Sequence, residues 1–319
     1  MELELQKNGM PDPHFRQSFD ALAGQVFGLS FEPWYQSGFW TPSNLPYTLL
    51  SQGAALSNVS VNRLEVLLHG RPRRYIQLGT VMTREDCRGQ GLAKRLMEEV
   101  LRDWTGQCDG MFLFANETVL DFYPKFGFRR ETQYQYTLPV PAALGSARKL
   151  STDDPQDLAL LRACYEKGNP FSALQVVHNF GLLMFYCGSF LKDCVYYIPQ
   201  QEAVAIVRQK GPVLECMDVF GGTCLPELLS QAAAPGTTYA RLGFTPIDGI
   251  FCSVEPIRDD DDALFVLEGK ENPFATRRQR QMCIRDRTVQ GNKHVYNKLI
   301  APAAPPPGQS SRRPSRPCS

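Results

Sequence analysis

The order strand, glycine-bearing loop, helix, strand between residues 75 and 115 constrains the fold of this chain more than any other feature. Tyr75–Thr83 and Asp109–Ala115 are short apolar runs typical of buried strands. Between them, Arg88–Ala93 carries two glycines, and Leu92–Trp104 has apolar residues at helical spacing. A helix that connects two strands in this way is a crossover connection. The segment therefore predicts an α/β fold.

The flanking patterns predict two domains, at residues 1–140 and 148–275, joined by a linker rich in Pro, Ala and Gly. In the first domain, a helix is predicted over 13–28 and strands over Thr48–Leu50, Ala54–Leu68 and Thr132–Leu138. The second domain repeats the order of helices, three strands, helix and strands, which indicates a degenerate structural repeat. Its predicted helices are Asp157–Lys167, Ser172–Leu191 and Leu225–Ala233, and its strands are Cys194–Pro199, Ala203–Arg208, Val213–Phe220, Tyr239–Phe244 and Ala263–Leu267.

Composition and charge exclude several functional classes. The formal charge is +1, with 43% hydrophobic and 21% charged residues, so bulk charge favours neither a nucleic-acid nor a membrane partner. The ten cysteines include no C-x-x-C pair, which argues against a zinc finger or a redox motif, and we expect no metal. The N-terminus has no apolar signal core, and no apolar run reaches the length of a membrane span. We expect a cytoplasmic protein with reduced thiols.

The last 43 residues differ from the rest of the chain. Residues 277–319 hold ten Lys and Arg against one acidic residue and are rich in Pro and Ser, which predicts a disordered basic tail. The string Gln281–Arg287 also resembles a translated sequencing adapter. We hypothesise that the sequence from Arg280 onward is an artefact, which sequencing of independent clones tests. The tail is therefore no argument for a nucleic-acid partner.

The glycine loop has the physical features of an anion site. Gly89 and Gly91 let the backbone approach a ligand, and the unpaired N–H groups of the following helical turn suit a pyrophosphate. Arg88 can add a charge-assisted contact. The loop is not a dinucleotide fingerprint, because Lys94 stands where the third glycine is required, and it lacks the G-K-[ST] of a phosphate-binding P-loop.

Two motifs in the expected order resemble those of the GNAT acetyltransferases. Arg88-x-x-Gly91-x-Ala93 matches the family pattern [RQ]-x-x-G-x-[GA], and Asn116 to Phe128 is similar to the later segment that contains F-Y-x-K-x-G-F. The resemblance covers residues 13–138 and is sharpest over 75–130. It implies a mixed-sheet GNAT acyl-CoA fold in the first domain, followed by a degenerate GNAT-like domain.

The resemblance also implies roles for individual residues. The backbone of a strand that splays from its neighbour, here Val81–Thr83, pairs with the pantetheine arm of acetyl-CoA, and the N–H groups of Gly89–Ala93 hold the pyrophosphate. Tyr123 corresponds to the general acid that protonates the leaving thiolate. The implied cofactor-binding residues are Val81, Met82, Thr83, Arg88, Gly89, Gln90, Gly91, Leu92, Ala93 and Asn116.

The general base and the acceptor site are less defined. Tyr75–Thr83 carries no Asp or Glu, although many relatives place a Glu on this strand, so Glu65, Glu117 and a water-relayed proton path remain as alternatives. The N-terminal helix and the aromatic-rich connection after it predict an apolar-walled acceptor pocket, shared with the second domain or formed without it. Its aromatic residues are Trp34, Tyr35, Phe39, Trp40 and Tyr47.

These observations predict an N-acetyltransferase that moves an acetyl group from acetyl-CoA to a primary amine by direct attack in a ternary complex. The acceptor is a small molecule or a peptide amine, and an assembly of identical chains is left open. One alternative is a non-catalytic acyl-CoA-binding or sensing module, which the missing strand carboxylate would favour. Another is a tandem enzyme that transfers an aminoacyl group from charged tRNA, which the intact loop Arg88–Ala93 disfavours.

Overall fold

The computed structural model describes residues 2–140, 142–257 and 262–275 of the 319-residue chain. The helices are α1 (Pro13–Phe27), α2 (Glu32–Gln36), α3 (Leu92–Trp104), α4 (Pro155–Glu166), α5 (Phe180–Cys187) and α6 (Leu225–Ala232). The strands are β1 (Glu4–Lys7), β2 (Asn44–Ser51), β3 (Ala54–Leu68), β4 (Arg71–Thr83), β5 (Gly110–Ala115), β6 (Phe128–Glu131), β7 (Gln133–Pro139), β8 (Arg148–Lys149), β9 (Leu174–Val177), β10 (Val195–Ile198), β11 (Ala203–Lys210), β12 (Val213–Phe220), β13 (Tyr239–Leu242), β14 (Ser253–Ile257) and β15 (Ala263–Leu267). The predicted α/β class is confirmed.

The strands form two mixed sheets of similar design. The first sheet has the order β1-β2-β3-β4-β5-β15-β6, with β9 paired to one end of β3. The second has the order β14-β7-β13-β12-β11-β10-β8. All neighbours are antiparallel except β4 with β5 in the first sheet and β12 with β13 in the second. The single parallel pair in each sheet follows from the crossover helix, α3 in one half and α6 in the other.

The two halves of the chain exchange strands, since the first half contributes β7 to the second sheet and the second half contributes β9 and β15 to the first. β7 follows β6 directly in sequence, yet it pairs with β13 and β14 in the second sheet. In return, β15 from the end of the described chain lies between β5 and β6 in the first sheet. The division into domains at 1–140 and 148–275 stays a prediction, and each of these halves completes the sheet of the other.

Helices α1 and α3 cover opposite faces of the first sheet. α3 buries Leu96, Met97 and Val100 in a core cluster that includes Leu49 of β2. The neighbouring strand residue, Leu50, belongs to a separate cluster that contains the buried face of α1 and most of α5. Because successive strand side chains point to opposite faces, the two clusters lie on the two sides of the sheet.

Several predicted elements have the observed bounds, among them β3, α3, β12 and β15. The predicted helix over Ser172–Leu191 is wrong in its first part, because Leu174–Val177 forms β9 on the edge of β3. His178 then has a positive φ of 55°, which interrupts the strand. The Asn179 side chain accepts a hydrogen bond from the backbone N–H of Leu182 and starts α5 there.

No helix within the described ranges is long and apolar enough to cross a membrane. The predictions of disorder and of an artefact for 277–319 fall outside those ranges.

Candidate active site

A cleft opens where β4 and β5 separate. The two strands pair only as far as Leu78 and Leu113. Beyond this point, Gly79–Thr83 forms one wall and Phe114–Asn116 contributes to the other. The cleft has a volume of about 690 Å³, which is within the usual range of small-molecule sites.

Strand β4 carries a bulge at the cleft. In the register with β3, Met82 lies opposite Asn58 and Gly79 lies opposite Ser60, so β4 has one extra residue over this interval. Thr80, inside the bulge, has a φ of +47°. A β-branched residue rarely adopts this conformation, which costs on the order of 1–3 kcal/mol. The surrounding structure therefore has to stabilise the bulge.

The loop after β4 leaves the N-terminus of α3 open. Gly89 and Gly91 have φ of +75° and +78°, and no heavy atom lies within 4 Å of the position that a Cβ would take at either residue. Gly91 is the N-cap of α3 and provides no side-chain cap. Both glycines line the cleft. The first turn of α3 is thus free to offer its N–H groups to an anion.

Two arginines flank this loop and differ in their pairing. Arg84 forms an ion pair with Asp86, Nε to Oδ1 at 2.6 Å, and this contact lowers the pKa of the Asp86 carboxyl. Arg88 has no ion-pair partner within the described part of the chain, and its Nε lies 3.4 Å from the carbonyl oxygen of Thr83. Arg88 lines the cleft and therefore remains available for a phosphate group.

Tyr123 also lines the cleft. It starts a 3₁₀ turn, Tyr123–Phe126, that ends at Gly127 with a φ of +81°. Its side chain lines the cleft but is only 4% exposed. The ring packs against Phe128 and against Phe265 of the exchanged strand β15, with centroid distances of 6.5 and 5.9 Å. A strand from the second half thus helps to orient the predicted general acid.

The cleft brings together all but one of the predicted site residues. Asn116 follows β5 and lines the cleft while its Oδ1 accepts from the backbone N–H and the hydroxyl of Thr118. Gln90 is the exception, since its exposed side chain turns back toward the Asp86 carbonyl oxygen at 3.4 Å. The predicted residues on the cleft are Val81, Met82, Thr83, Arg88, Gly89, Gly91, Leu92, Ala93, Asn116 and Tyr123.

No carboxylate lines the cleft among the described residues. Glu65 lies opposite Arg74 in the register, toward the far end of β3, and its Oε2 is 3.0 Å from Nδ1 of His178. Glu117 follows Asn116 directly, but its side chain is not part of the cleft wall. The structure therefore brings neither candidate base to the cleft.

The aromatic residues expected in an acceptor pocket lie elsewhere. Trp34 is buried, packs against Phe185 of α5, and donates its indole N–H to the Gly181 carbonyl oxygen at 2.8 Å. Tyr47 lies on the α3 side, where Asp103 accepts from its hydroxyl at 2.8 Å. Desolvation and this hydrogen bond raise the pKa of Tyr47 to about 12. These contacts make the aromatic residues part of the packing of the protein.

The end of α1 forms a further part of the cleft wall. Val26 and Phe27, half-buried at the last turn of α1, line the cleft on the face opposite α3. The sequence analysis expects the first helix on the acceptor side but does not single out these two residues. Their only signal is their position at the end of the apolar stripe, next to Gly28, and that position does not reveal which strand ends lie nearby.

The equivalent loop of the second half is closed. Gly221 and Gly222 also have positive φ, +81° and +87°. A Cβ at Gly221 would lie 2.9 Å from the Glu202 carbonyl oxygen, and one at Gly222 would lie 3.1 Å from a methyl group of Leu228. These glycines serve close packing, whereas Gly89 and Gly91 face open space.

The comparisons with known proteins agree with this geometry. Residues 61–130 match the family model described as the acetyltransferase (GNAT) domain. Over these residues the chain is similar to a GNAT acetyltransferase domain. No curated protein matches the chain by sequence.

Solved structures extend the GNAT similarity beyond the matched residues. A probable N-acyltransferase of Enterococcus faecalis V583 has a TM-score of 0.54 at 16% identity, covering 83% of this chain and 72% of its own. Eis1 of Mycobacterium abscessus has 0.52 at 15%, covering 82% and 73%. A GCN5-related N-acetyltransferase of Anabaena variabilis has 0.51 at 13%, covering 83% and 72%. At these identities the similarity shows the fold alone, and it includes both sheets.

Proposed function

We propose that the cleft binds acetyl-CoA and that the protein transfers the acetyl group to a primary amine. One observation carries the proposal. A single cleft is lined both by the open N-terminus of α3, at Gly89 and Gly91, and by Tyr123. These two features match the two requirements of the reaction, an anion site for the donor and a proton source for its leaving group.

Acetyl-CoA, the acyl donor, fits the cleft in one orientation. The N–H groups of Gly89–Ala93 and the guanidinium of Arg88 hold the pyrophosphate. The pantetheine arm then lies between the separated strands, along Val81–Thr83 and past Asn116. In this direction the thioester lies near Tyr123, and the amine enters from the side of Val26 and Phe27.

The reaction proceeds by direct attack in a ternary complex. The amine nitrogen forms a bond to the acyl carbon, and the carbon–sulfur bond then breaks. Tyr123 donates its proton to the departing sulfur, because a thiolate with a pKa near 8.5 leaves more readily when it is protonated. The nitrogen loses a proton to water in the cleft, since no carboxylate lies on the walls that the structure describes.

The absence of a carboxylate from the described cleft walls favours a second candidate, a module that binds acyl-CoA without efficient transfer. Both candidates bind acetyl-CoA, but only the transferase passes the acetyl group to an amine efficiently. An amine in a cleft without a base loses its proton slowly unless water carries it away, so transfer by such a site would become faster as the pH rises toward the amine pKa.

The test is release of free CoA thiol from acetyl-CoA in the presence of a panel of primary amines, namely polyamines, aminoglycosides, amino acids and lysine peptides. Saturable, amine-dependent release that Tyr123→Phe reduces supports the transferase. Tight binding of acetyl-CoA without release for any amine supports the binding module. Failure of acetyl-CoA to bind contradicts both candidates.

A further inference from the structure

A buried side chain next to the β4 bulge has no role in the motifs or in the proposed mechanism. Asn58 lies in β3 and is 0% exposed. Its Nδ2 donates to the carbonyl oxygen of Thr80 and to Ser60 Oγ, both at 2.9 Å. Its Oδ1 accepts from Thr48 Oγ1 at 2.8 Å. The amide nitrogen and the amide oxygen both have hydrogen-bond partners, which fixes the orientation of the side chain.

Asn58 supplies a hydrogen bond that the backbone of β3 does not supply. Because of the extra residue in β4, Thr80 and Val81 have no partner residue in the β3 register. The Thr80 carbonyl lies in a buried part of the sheet, where an unpaired backbone group is unfavourable. The side chain of Asn58 replaces the missing ladder partner at the one residue of β4 that has a positive φ.

A second side chain of β3 holds β4 on the other side of Val81. Ser57 Oγ donates to the carbonyl oxygen of Met82 at 3.0 Å, and Ser57 is also 0% exposed. The carbonyl groups of Thr80 and Met82 therefore both point toward β3. Val81 lies between them, has no partner on β3 and lines the cleft, so its backbone groups remain for a ligand.

We propose that Asn58 is a positioning residue for the cleft. It holds Thr80 in the left-handed conformation and thereby directs the backbone of Val81 toward the pantetheine arm. This inference rests on the proposed function, because the position of Val81 affects a ligand only if the cleft holds that arm.

The experiment uses the full chain and two ligands measured by calorimetric titration. Acetyl-CoA contains the pantetheine arm, whereas 3′-phospho-ADP keeps the pyrophosphate and lacks the arm. Asn58→Ala is expected to weaken acetyl-CoA binding about three- to tenfold, the range for one lost hydrogen bond, and to leave 3′-phospho-ADP binding unchanged. Asn62→Ala is the matched control, because Asn62 is a buried asparagine of the same strand that lies opposite Gln77, before the cleft.

A second variant separates positioning from general stability. Glycine adopts a positive φ without the Cβ penalty. Asn58→Ala combined with Thr80→Gly is therefore expected to bind acetyl-CoA within about twofold of the unmodified protein. Equal weakening for both ligands, or no recovery in the double variant, would overturn the inference, because either result describes a loss of overall stability.

The remaining outcomes distinguish this inference from the proposed function. Unchanged acetyl-CoA binding in Asn58→Ala overturns the positioning role and leaves the proposed function intact. No acetyl-CoA binding by the unmodified protein overturns both.

If Asn58→Ala lacks a cooperative unfolding transition, Thr48→Val replaces it, since it keeps Asn58 and removes the hydroxyl that orients the amide. It should weaken acetyl-CoA alone at least twofold, and unchanged binding would overturn the inference.

Discussion

Tyr123 reaches the cleft because residues from both halves of the chain support its ring. Gly127 ends the turn that begins at Tyr123, and Phe265 of β15 packs against the Tyr123 ring. A tyrosine held in this way has a fixed hydroxyl position, which a general acid needs. Because this packing involves the ring, we expect the ring to keep its position when the hydroxyl is removed.

Tyr123→Phe is expected to lower kcat by about 10²-fold, the lower end of the usual contribution of a general acid. Binding of acetyl-CoA should change little, because the phosphate contacts lie at the other end of the cleft. Thiol release and calorimetric titration measure the two quantities. Tyr136→Phe serves as the control, since Tyr136 is also buried but lies in the second sheet. Unchanged kcat in Tyr123→Phe would exclude the acid role.

At the residue scale, the sequence was informative where a motif fixes the geometry. The spacing of Arg88, Gly91 and Ala93 predicted a loop that the structure places on the cleft. The strained Thr80 was not predictable, because its φ depends on the register between β3 and β4 and not on local residue preference. Asn58 was missed for the same reason, since its partner Thr80 is 22 residues away.

We expect Asp218 of β12 to make the stability of the second half depend on pH. Burial raises the pKa of its carboxyl to about 7, although hydrogen bonds from Asn169 and from the Val219 N–H favour the charged form. A raised pKa means that the folded state binds the proton more tightly than the unfolded state does. Stability is therefore greatest below the ordinary Asp pKa and is lost as the pH rises from about 4 to about 7.

We expect the free energy of unfolding to fall across this pH interval by on the order of 2 kcal/mol, with allowance for the partial exposure of Asp218. Asp218→Asn should remove most of this dependence, because the amide does not titrate. Urea unfolding at pH 4.5 and pH 8 measures the effect. An equal pH dependence in both proteins would show that other groups cause it.

At the scale of elements, the contact between α5 and the connection after α2 joins the two halves. Gly181, in the first turn of α5, lies so close to this connection that a Cβ would overlap the carbonyl oxygen of Phe39. The carbonyl of Gly181 also accepts the hydrogen bond from Trp34. A side chain at this position would push the helix away from both partners.

Gly181→Ala is expected to destabilise the protein by about 1–3 kcal/mol, the usual cost of overpacking. Gly106→Ala is the matched control, because Gly106 has an ordinary φ and no heavy atom within 4 Å of its Cβ position. Urea denaturation of the two variants compares them directly. Equal stability of Gly181→Ala and the unmodified protein would mean that α5 and the connection adjust to the methyl group without loss.

Sequence patterns identify correctly those elements that are long enough to show a regular spacing of apolar residues. β3 and α3 have the predicted bounds because each is long and carries its own apolar pattern, an alternation in β3 and helical spacing in α3. β9 was mistaken for the start of a helix, because its four residues gain strand structure only by pairing with β3, more than 100 residues earlier in the chain. Such long-range pairing leaves little local signal.

For the whole molecule, the exchange of β7 and β15 makes the two halves interdependent. If β15 were absent, β5 and β6 would lack the strand that lies between them in the first sheet. A chain of residues 1–140 would also expose β7 without its partners in the second sheet. Unpaired edges of this kind favour aggregation.

Residues 1–140 alone are therefore expected not to fold cooperatively and not to bind acetyl-CoA, whereas residues 1–275 should do both. Near-UV circular dichroism and calorimetric titration of the two truncated chains provide the measurement. A cooperative, acetyl-CoA-binding chain of residues 1–140 would show that β15 is dispensable. The tandem arrangement itself was predictable from the repeated element order, but the exchange was not, because either half could have kept its own last strand.

The most direct test of the account is thermal unfolding of the full chain with and without acetyl-CoA, together with Gly91→Glu and Gly53→Glu. Both glycines have a φ of +78° and no atom near their Cβ position, but only Gly91 lines the cleft, so the pair separates backbone strain from loss of the anion site. At about a hundredfold excess over its Kd, the ligand should add about 2.7 kcal/mol of stability, seen as a shift of a few degrees in Tm.

We predict this shift in the unmodified protein and in Gly53→Glu, and no shift in Gly91→Glu, where a carboxylate occupies the space for the pyrophosphate. A cooperative transition that acetyl-CoA leaves unchanged in the unmodified protein would contradict the account, as would an equal shift in Gly91→Glu.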